Sequence, residues 1–195
     1  MATTSRNDLK RPEPKALASA LAQLSARFGN RLITSQAVRE QHAHTTTWLK
    51  PEPPDGVVMA QETLDIQDMV RICARHGVPV IAYGTGTSLE GHVNAPAGGI
   101  CIDLRDMNKV LEVHADDLDC VIEPGVTRKA LNDYVRDQGV FFPIDPGADE
   151  EMGEVVAGGG FLRPRTGRDD LAVAAYDFER QHILAHGAVA HRIGA

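Results

Sequence analysis

A short apolar run that ends directly in a glycine loop constrains this chain more than any other feature. Val78-Pro-Val-Ile-Ala82 reads as a strand, and Tyr83-Gly-Thr-Gly-Thr-Ser-Leu-Glu-Gly-His92 follows it at once. Upstream, Gly56-Val-Val-Met-Ala60 reads as a second strand. A helix over 64–76 separates the two, with Thr63 as its cap, Ile66, Met69, Val70 and Cys73 on its inner face and Gly77 as its stop. Strand, helix and strand joined by short connections form a βαβ unit, so the two strands lie parallel in one sheet. The loop leaving the second strand is then the place to look for chemistry.

Three glycines and three hydroxyl residues in such a turn let successive N–H groups converge on one point, a backbone nest suited to phosphate oxygens. Spacing alone leaves open a plain turn. A Walker-type loop is excluded, because no lysine occurs between Arg71 and Lys109. A Rossmann fingerprint is excluded as well. Its third glycine would fall where Leu89 stands, and Asn94-Ala-Pro-Ala-Gly-Gly99 follows instead of a helix. Glu90 sits badly beside an anion, and its expected role is to brace the loop by accepting neighbouring N–H groups.

Around this unit the pattern is mixed. Leu17, Leu21, Leu24 and Phe28 form one stripe of an N-terminal helix that Gly29 closes. Residues 36–54, polar and ending in Pro51, Pro53 and Pro54, read as an irregular connector. Beyond the loop, Gly99–Leu104, Val110–Val113 and Leu118–Ile122 read as short strands of a meander or hairpins. Asp116, Asp117 and Asp119 read as a solvated turn between two of them. Thr127 caps another helix, with Leu131, Tyr134 and Val135 inward and Gly139 as its stop, before the strand-like Val140–Phe142. Leu171, Ala174, Ala175, Phe178, His182 and Ala185 share a helical face, which predicts a helix over 169–185. His182, His186 and His191 have no acidic or cysteine partner placed with them and read as a His-rich helix end, so no metal site is expected. Trp48 and Tyr83 read as core aromatics rather than as rings stacked on a cofactor.

With 43% hydrophobic residues in 195, the chain can fill a sizeable core. A net charge of −7 without a basic run argues against nucleic acid as a partner. No stretch of about 18 apolar residues suggests a transmembrane segment, and the polar Met1 to Lys15 does not read as a secretory signal. Cys73, Cys101 and Cys120, each in an apolar stretch, read as buried free thiols in a reducing compartment. A cytoplasmic location is expected, with peripheral attachment to a membrane left open.

Gly84-Thr-Gly-Thr-Ser-Leu-Glu-Gly-His92, Asn94-Ala-Pro-Ala-Gly-Gly99, Glu123-Pro-Gly-Val126 and Phe142-Pro-Ile-Asp-Pro-Gly-Ala148 stand in one order along the chain. In that order they resemble the FAD-linked oxidase family, in particular its D-lactate dehydrogenase and glycolate oxidase branch. Glu40-Gln-His-Ala-His44 and Thr45-Thr-Thr-Trp-Leu-Lys-Pro51 extend the resemblance, which covers roughly residues 30–149. It implies an α+β fold, the first subdomain of a vanillyl-alcohol-oxidase-type FAD-binding domain, with a mixed sheet and flanking helices. It implies FAD as cofactor, its pyrophosphate held by Gly84, Thr85, Gly86, Thr87, Ser88, Leu89 and Gly91. Pro124, Gly125, Pro146 and Gly147 would lie along the adenosine or flavin side. Residues 84–91 contain no histidine to which a flavin could be attached, so the expected FAD is non-covalent. The implied reaction oxidises a D-2-hydroxy acid, D-lactate to pyruvate, with electrons passed to a cytochrome or quinone.

After Asp149 the motifs fade, and Phe161-Leu162 stand where the family has a small-residue step beside the flavin ring. The expected organisation is an N-terminal helix and connector over 1–50, an FAD-binding subdomain over 51–149 and a divergent tail over 150–195. No catalytic residue is carried over by the resemblance. Two other readings stay open, a truncated non-catalytic remnant of such an enzyme and a flavin- or anion-binding module without redox activity.

Overall fold

The computed structural model describes residues 10–44, 48–87 and 91–143, together with the backbone of strands at 163–164, 173–177 and 182–186. Residue packing divides the chain into two units, Met1–Asp106 and Met107–Ala195.

In the first unit, helix α1 (Pro14–Phe28) starts on a proline, whose missing N–H is no loss in a first helical turn. It buries Ala20, Leu24 and Phe28, each large side chain contributing about 1.5–3 kcal/mol. Strand β1 (Leu32–Ile33) follows, then helix α2 (Gln36–Gln41), strand β2 (Gly56–Met59), helix α3 (Thr63–Arg75), strand β3 (Val80–Tyr83) and strand β4 (Ile100–Asp103). The sheet order is β1-β2-β4-β3, with β4 parallel to both β2 and β3, and β1 antiparallel to β2. The βαβ reading therefore holds, but β4 is inserted between its two strands.

That insertion corrects the expected meander. All four residues of β4 are buried, and an unbroken Ile-Cys-Ile run suits a central parallel strand covered on both faces. The expected connector also changes, since α2 winds within it and brings Val38 to the apolar cluster of Val57, Tyr83, Val93 and Cys101. So short a helix has little stability of its own and forms where packing holds it. The inner face of α3 is rotated from expectation, burying Asp65, Met69, Ile72 and Cys73 while Val70 and Leu64 stay exposed. Asp65 turns inward because its carboxylate accepts the Gln61 N–H and pairs with Arg31 and Arg27. Burial opposes ionisation there, yet those donors hold the Asp65 carboxyl below its ordinary value.

In the second unit, strands β5 (Val110–His114) and β6 (Asp119–Ile122) form an antiparallel hairpin. Asp116 and Asp117 are exposed in its turn, and Asp119 accepts a hydrogen bond from His114. Helix α4 (Arg128–Val135) is capped by Thr127, whose Oγ1 accepts the Ala130 N–H at 3.1 Å. It buries Leu131 and Val135, whereas Tyr134, expected inward, is exposed. These side chains pack with Cys120, Ile122, Val126, Val140 and Phe142. Strand β7 (Val140–Phe141) pairs with β8 (Arg163–Pro164). The helix expected over 169–185 is instead two strands, β9 (Val173–Asp177) and β10 (His182–His186), with β10 antiparallel to both β9 and β6. The free edge of β6 offers backbone pairing that a helix could not use, and tertiary context overrides the local period.

Cys73, Cys101 and Cys120 are free and buried, as expected. Burial pushes their thiols up, to about 11, 12 and 11 respectively. Because the thiolate is the reactive form, the native protein is expected to leave a disulfide thiol reagent unconsumed at pH 8. Unfolding in guanidinium should then release all three thiols, and an Ellman absorbance trace with and without denaturant checks this.

Candidate functional site

The site begins where β3 ends. Tyr83 closes the strand and lies in register with Asp103 on the parallel neighbour β4. Its ring is 8% exposed and packs on the imidazole of His42, with centroids 4.5 Å apart. His42 Nδ1 lies 2.8 Å from the Val38 carbonyl oxygen, and Nε2 lies 2.8 Å from Asp103 Oδ2. Both contacts are hydrogen bonds at once when each ring nitrogen carries a hydrogen. From two residues past the strand, Arg105 donates Nε to both Asp103 oxygens at 3.0 and 2.9 Å, and Nη2 to Oδ2 at 2.6 Å. Burial works to raise the Asp103 carboxyl, but the bonds from His42 and Arg105 outweigh it and hold the group below the ordinary carboxylate value.

The glycine loop rests on this base. The Tyr83 hydroxyl donates to the Thr85 carbonyl oxygen over 3.4 Å, and the Thr85 and Thr87 hydroxyls are 3.1 Å apart. Burial raises the Tyr83 phenol, so it keeps its hydrogen at neutral pH and acts as a donor. Gly86 has φ +76°, and a Cβ there would stand 2.6 Å from the Tyr83 hydroxyl oxygen. At Gly91, with φ +79°, a Cβ would stand 2.5 Å from Leu49 Cδ1. Gly86 thus favours glycine on two counts, the left-handed backbone and the buried ring beneath it, whereas at Gly91 the left-handed backbone decides, because the Leu49 methyl can move aside.

Past Gly91 the chain is fastened on its way back to β4. Asn94 Oδ1 accepts the Glu52 N–H at 3.0 Å, and the Ala95 N–H reaches the Glu52 carbonyl at 2.8 Å. The Gly99 N–H donates to Asp55 at 2.7 Å, and Arg11 pairs with the same carboxylate. Asn94 Nδ2 is buried with no hydrogen-bond partner among the described residues. A separate cavity of about 250 Å³ is lined by Arg11, Arg39 and Lys50 among others, but Arg11 is committed to Asp55 and the Arg39 Nε to the Pro54 carbonyl.

Gly84, Thr85, Gly86 and Thr87 thus follow one another off the end of β3, and Gly91 lies against Leu49 and Asn94. Ser88, Leu89, Pro146 and Gly147, with Glu90, lie outside the described residues. Pro124 and Gly125 sit in the second unit, in a turn closed by the Val126 N–H on the Glu123 carbonyl at 3.1 Å. The Gly125 N–H is already given to the Met107 carbonyl at 2.7 Å. Trp48 is 92% exposed and contributes nothing to the core, whereas Tyr83 is the floor of the loop. Sequence reasoning missed His42, Asp103 and Arg105. The signal was present in Ile100-Cys-Ile-Asp103, because a carboxylate ending a wholly apolar strand needs buried partners.

A family profile described as an FAD binding domain matches residues 54–167, and so runs past Asp149. A probable mitochondrial D-lactate dehydrogenase of Danio rerio is 40% identical over 162 residues, 81% of this chain and 31% of that protein. A mitochondrial D-lactate dehydrogenase (cytochrome) of Arabidopsis thaliana is 39% identical over 104 residues, 53% of this chain and 18% of its own length. The chain thus spans under a third of these relatives. Among solved structures, p-cresol methylhydroxylase with substrate bound superposes with a TM-score of 0.63 at 21% identity, over 70% of this chain and 28% of that one. A 4-ethylphenol oxidase from Gulosibacter chungangensis gives 0.62 at 27% identity, with the same shares of 70% and 28%. The vanillyl-alcohol-oxidase-type α+β fold expected from the motifs is the fold these flavoproteins share.

Replacing Asp103 by Asn strands His42 and Arg105 without their anion, and should lower the unfolding free energy by about 3–5 kcal/mol. The carboxyl is held below its unfolded value, so its contribution is complete above the unfolded pKa and is lost as pH falls through the folded one. Urea midpoints measured down through the acid range should fall for the wild type, and Asp103→Asn should lack that part of the dependence.

Proposed function

Because the chain belongs to the family of FAD-binding domains, we propose that it forms the pyrophosphate-binding part of a flavin-dependent D-2-hydroxy-acid dehydrogenase, with D-lactate as substrate. The observation that carries this reading is the glycine loop at the carboxyl end of β3, seated on Tyr83 and free of carboxylate side chains from Gly84 to Thr87. Such a loop offers a diphosphate backbone N–H donors and threonine hydroxyls, which fits an anionic cofactor without a lysine. Similarity to D-lactate dehydrogenases over most of the chain supports the substrate class.

In this reading Gly84, Thr85, Gly86, Thr87, Ser88, Leu89 and Gly91 hold the diphosphate, while Pro124, Gly125, Pro146 and Gly147 flank the rest of the cofactor. When bound, FAD supplies the hydride acceptor for oxidation at C2 of the hydroxy acid, with electrons leaving to a cytochrome or quinone. The part played by this chain is to bind and orient. No histidine lies between Gly84 and Gly91, which favours non-covalent attachment. We assign residues 51–149 as the binding subdomain, between a helical lead-in over 1–50 and a divergent tail over 150–195, the first residues of which, to 167, still fall within the FAD-domain match. The buried free thiols suit a reducing compartment such as the cytoplasm, and no helix among the described residues is long and apolar enough to cross a membrane.

The protein incubated with FAD and desalted is expected to keep a flavin absorbance, and anaerobic D-lactate to bleach it. A colourless product after desalting would sink the reading and turn attention to a simple anion site. Gly86→Ala meets about 1–2 kcal/mol of left-handed backbone cost in addition to the collision with Tyr83, and is expected to weaken FAD at least about tenfold in a flavin fluorescence titration.

A further inference from the structure

The base of the glycine loop does more than fill space. Tyr83 is held from below by His42, whose two nitrogens are tied to the Val38 carbonyl and to Asp103, and Asp103 is fastened in turn by Arg105. The phenol thus has a fixed place at the end of β3, and its hydroxyl meets the Thr85 carbonyl. In a trans peptide the C=O and the following N–H point in opposite directions. With the Thr85 carbonyl aimed down at the phenol, the Gly86 N–H is aimed up, away from the sheet. That N–H has no acceptor among the described residues.

From this geometry we infer that Tyr83 is a positioning residue for cofactor binding, its hydroxyl setting the Thr85–Gly86 peptide so that the Gly86 N–H faces the incoming diphosphate. The inference rests on the FAD reading of the loop and adds to it a side chain that touches no ligand. Removing the hydroxyl leaves the ring under Gly86 and frees only the peptide to turn. The bond is long and links two neutral groups, so its loss is expected to weaken binding about three- to tenfold.

The test compares the full chain with its Tyr83→Phe variant in two titrations, FAD by flavin fluorescence and inorganic pyrophosphate by the ¹⁵N–¹H signal of Gly86, alongside the melting temperature of each apoprotein. Expected are an FAD dissociation constant raised about three- to tenfold, a Gly86 response to pyrophosphate that shrinks in the variant, and melting temperatures that agree within about 2 °C. A merely structural tyrosine would move the melting temperature and leave the Gly86 response intact, and that pattern overturns the proposal. A Gly86 signal in the wild type that ignores pyrophosphate overturns it too. Wild type that loses FAD on desalting while Gly86 still responds to pyrophosphate, and responds less in the variant, defeats the flavin reading alone and upholds the role of Tyr83.

Discussion

Two parallel neighbours cannot be joined by a tight turn, because the chain must travel back the length of the strand before it can pair. Between β3 and β4 that return is made by residues 84–99, in which no helix forms among the described residues. The rest of the first unit follows from this. A crossover without a helix has no internal ladder to satisfy its backbone, so it must be fastened to what lies beneath and beside it. Asn94, Asp55 and the carbonyl of Glu52 do this along the return path, and Tyr83 does it at the start.

The fastening is itself anchored by charge. A carboxylate with no exposure is costly unless every lone pair finds a donor, and Asp103 meets that condition with His42 from one direction and Arg105 from the other. Asp65 repeats the pattern, turning α3 so that its first turn reaches Arg31 and Arg27 near the end of α1. Both carboxyls lie below their ordinary range for the same reason, donors that outweigh burial. Through His42 and Tyr83 the Asp103 cluster also reaches the base of the loop.

Much of this was legible in the residues. The strands at 56–59 and 80–83, the long helices and their glycine stops, and the position of the loop all follow from apolar period and turn chemistry. Less legible were features decided by a distant partner. The rotation of α3 depends on Arg31, 34 residues away from Asp65. Helix α2 has too few residues to announce itself, and β9 and β10 carry a period that suits a helix until the edge of β6 is present.

By itself the sequence determined that a glycine loop without a lysine leaves a parallel strand, and the ordered motifs around that loop were enough to name a flavin-binding family. Only the tertiary structure decided that β4 lies between the two strands of the βαβ unit, and that His42, Tyr83, Asp103 and Arg105 meet under the loop. The reason is physical. Local period and turn propensity act between residues a few positions apart, while hydrogen bonds to a buried carboxylate join groups 61 residues apart and exist only once the sheet has formed.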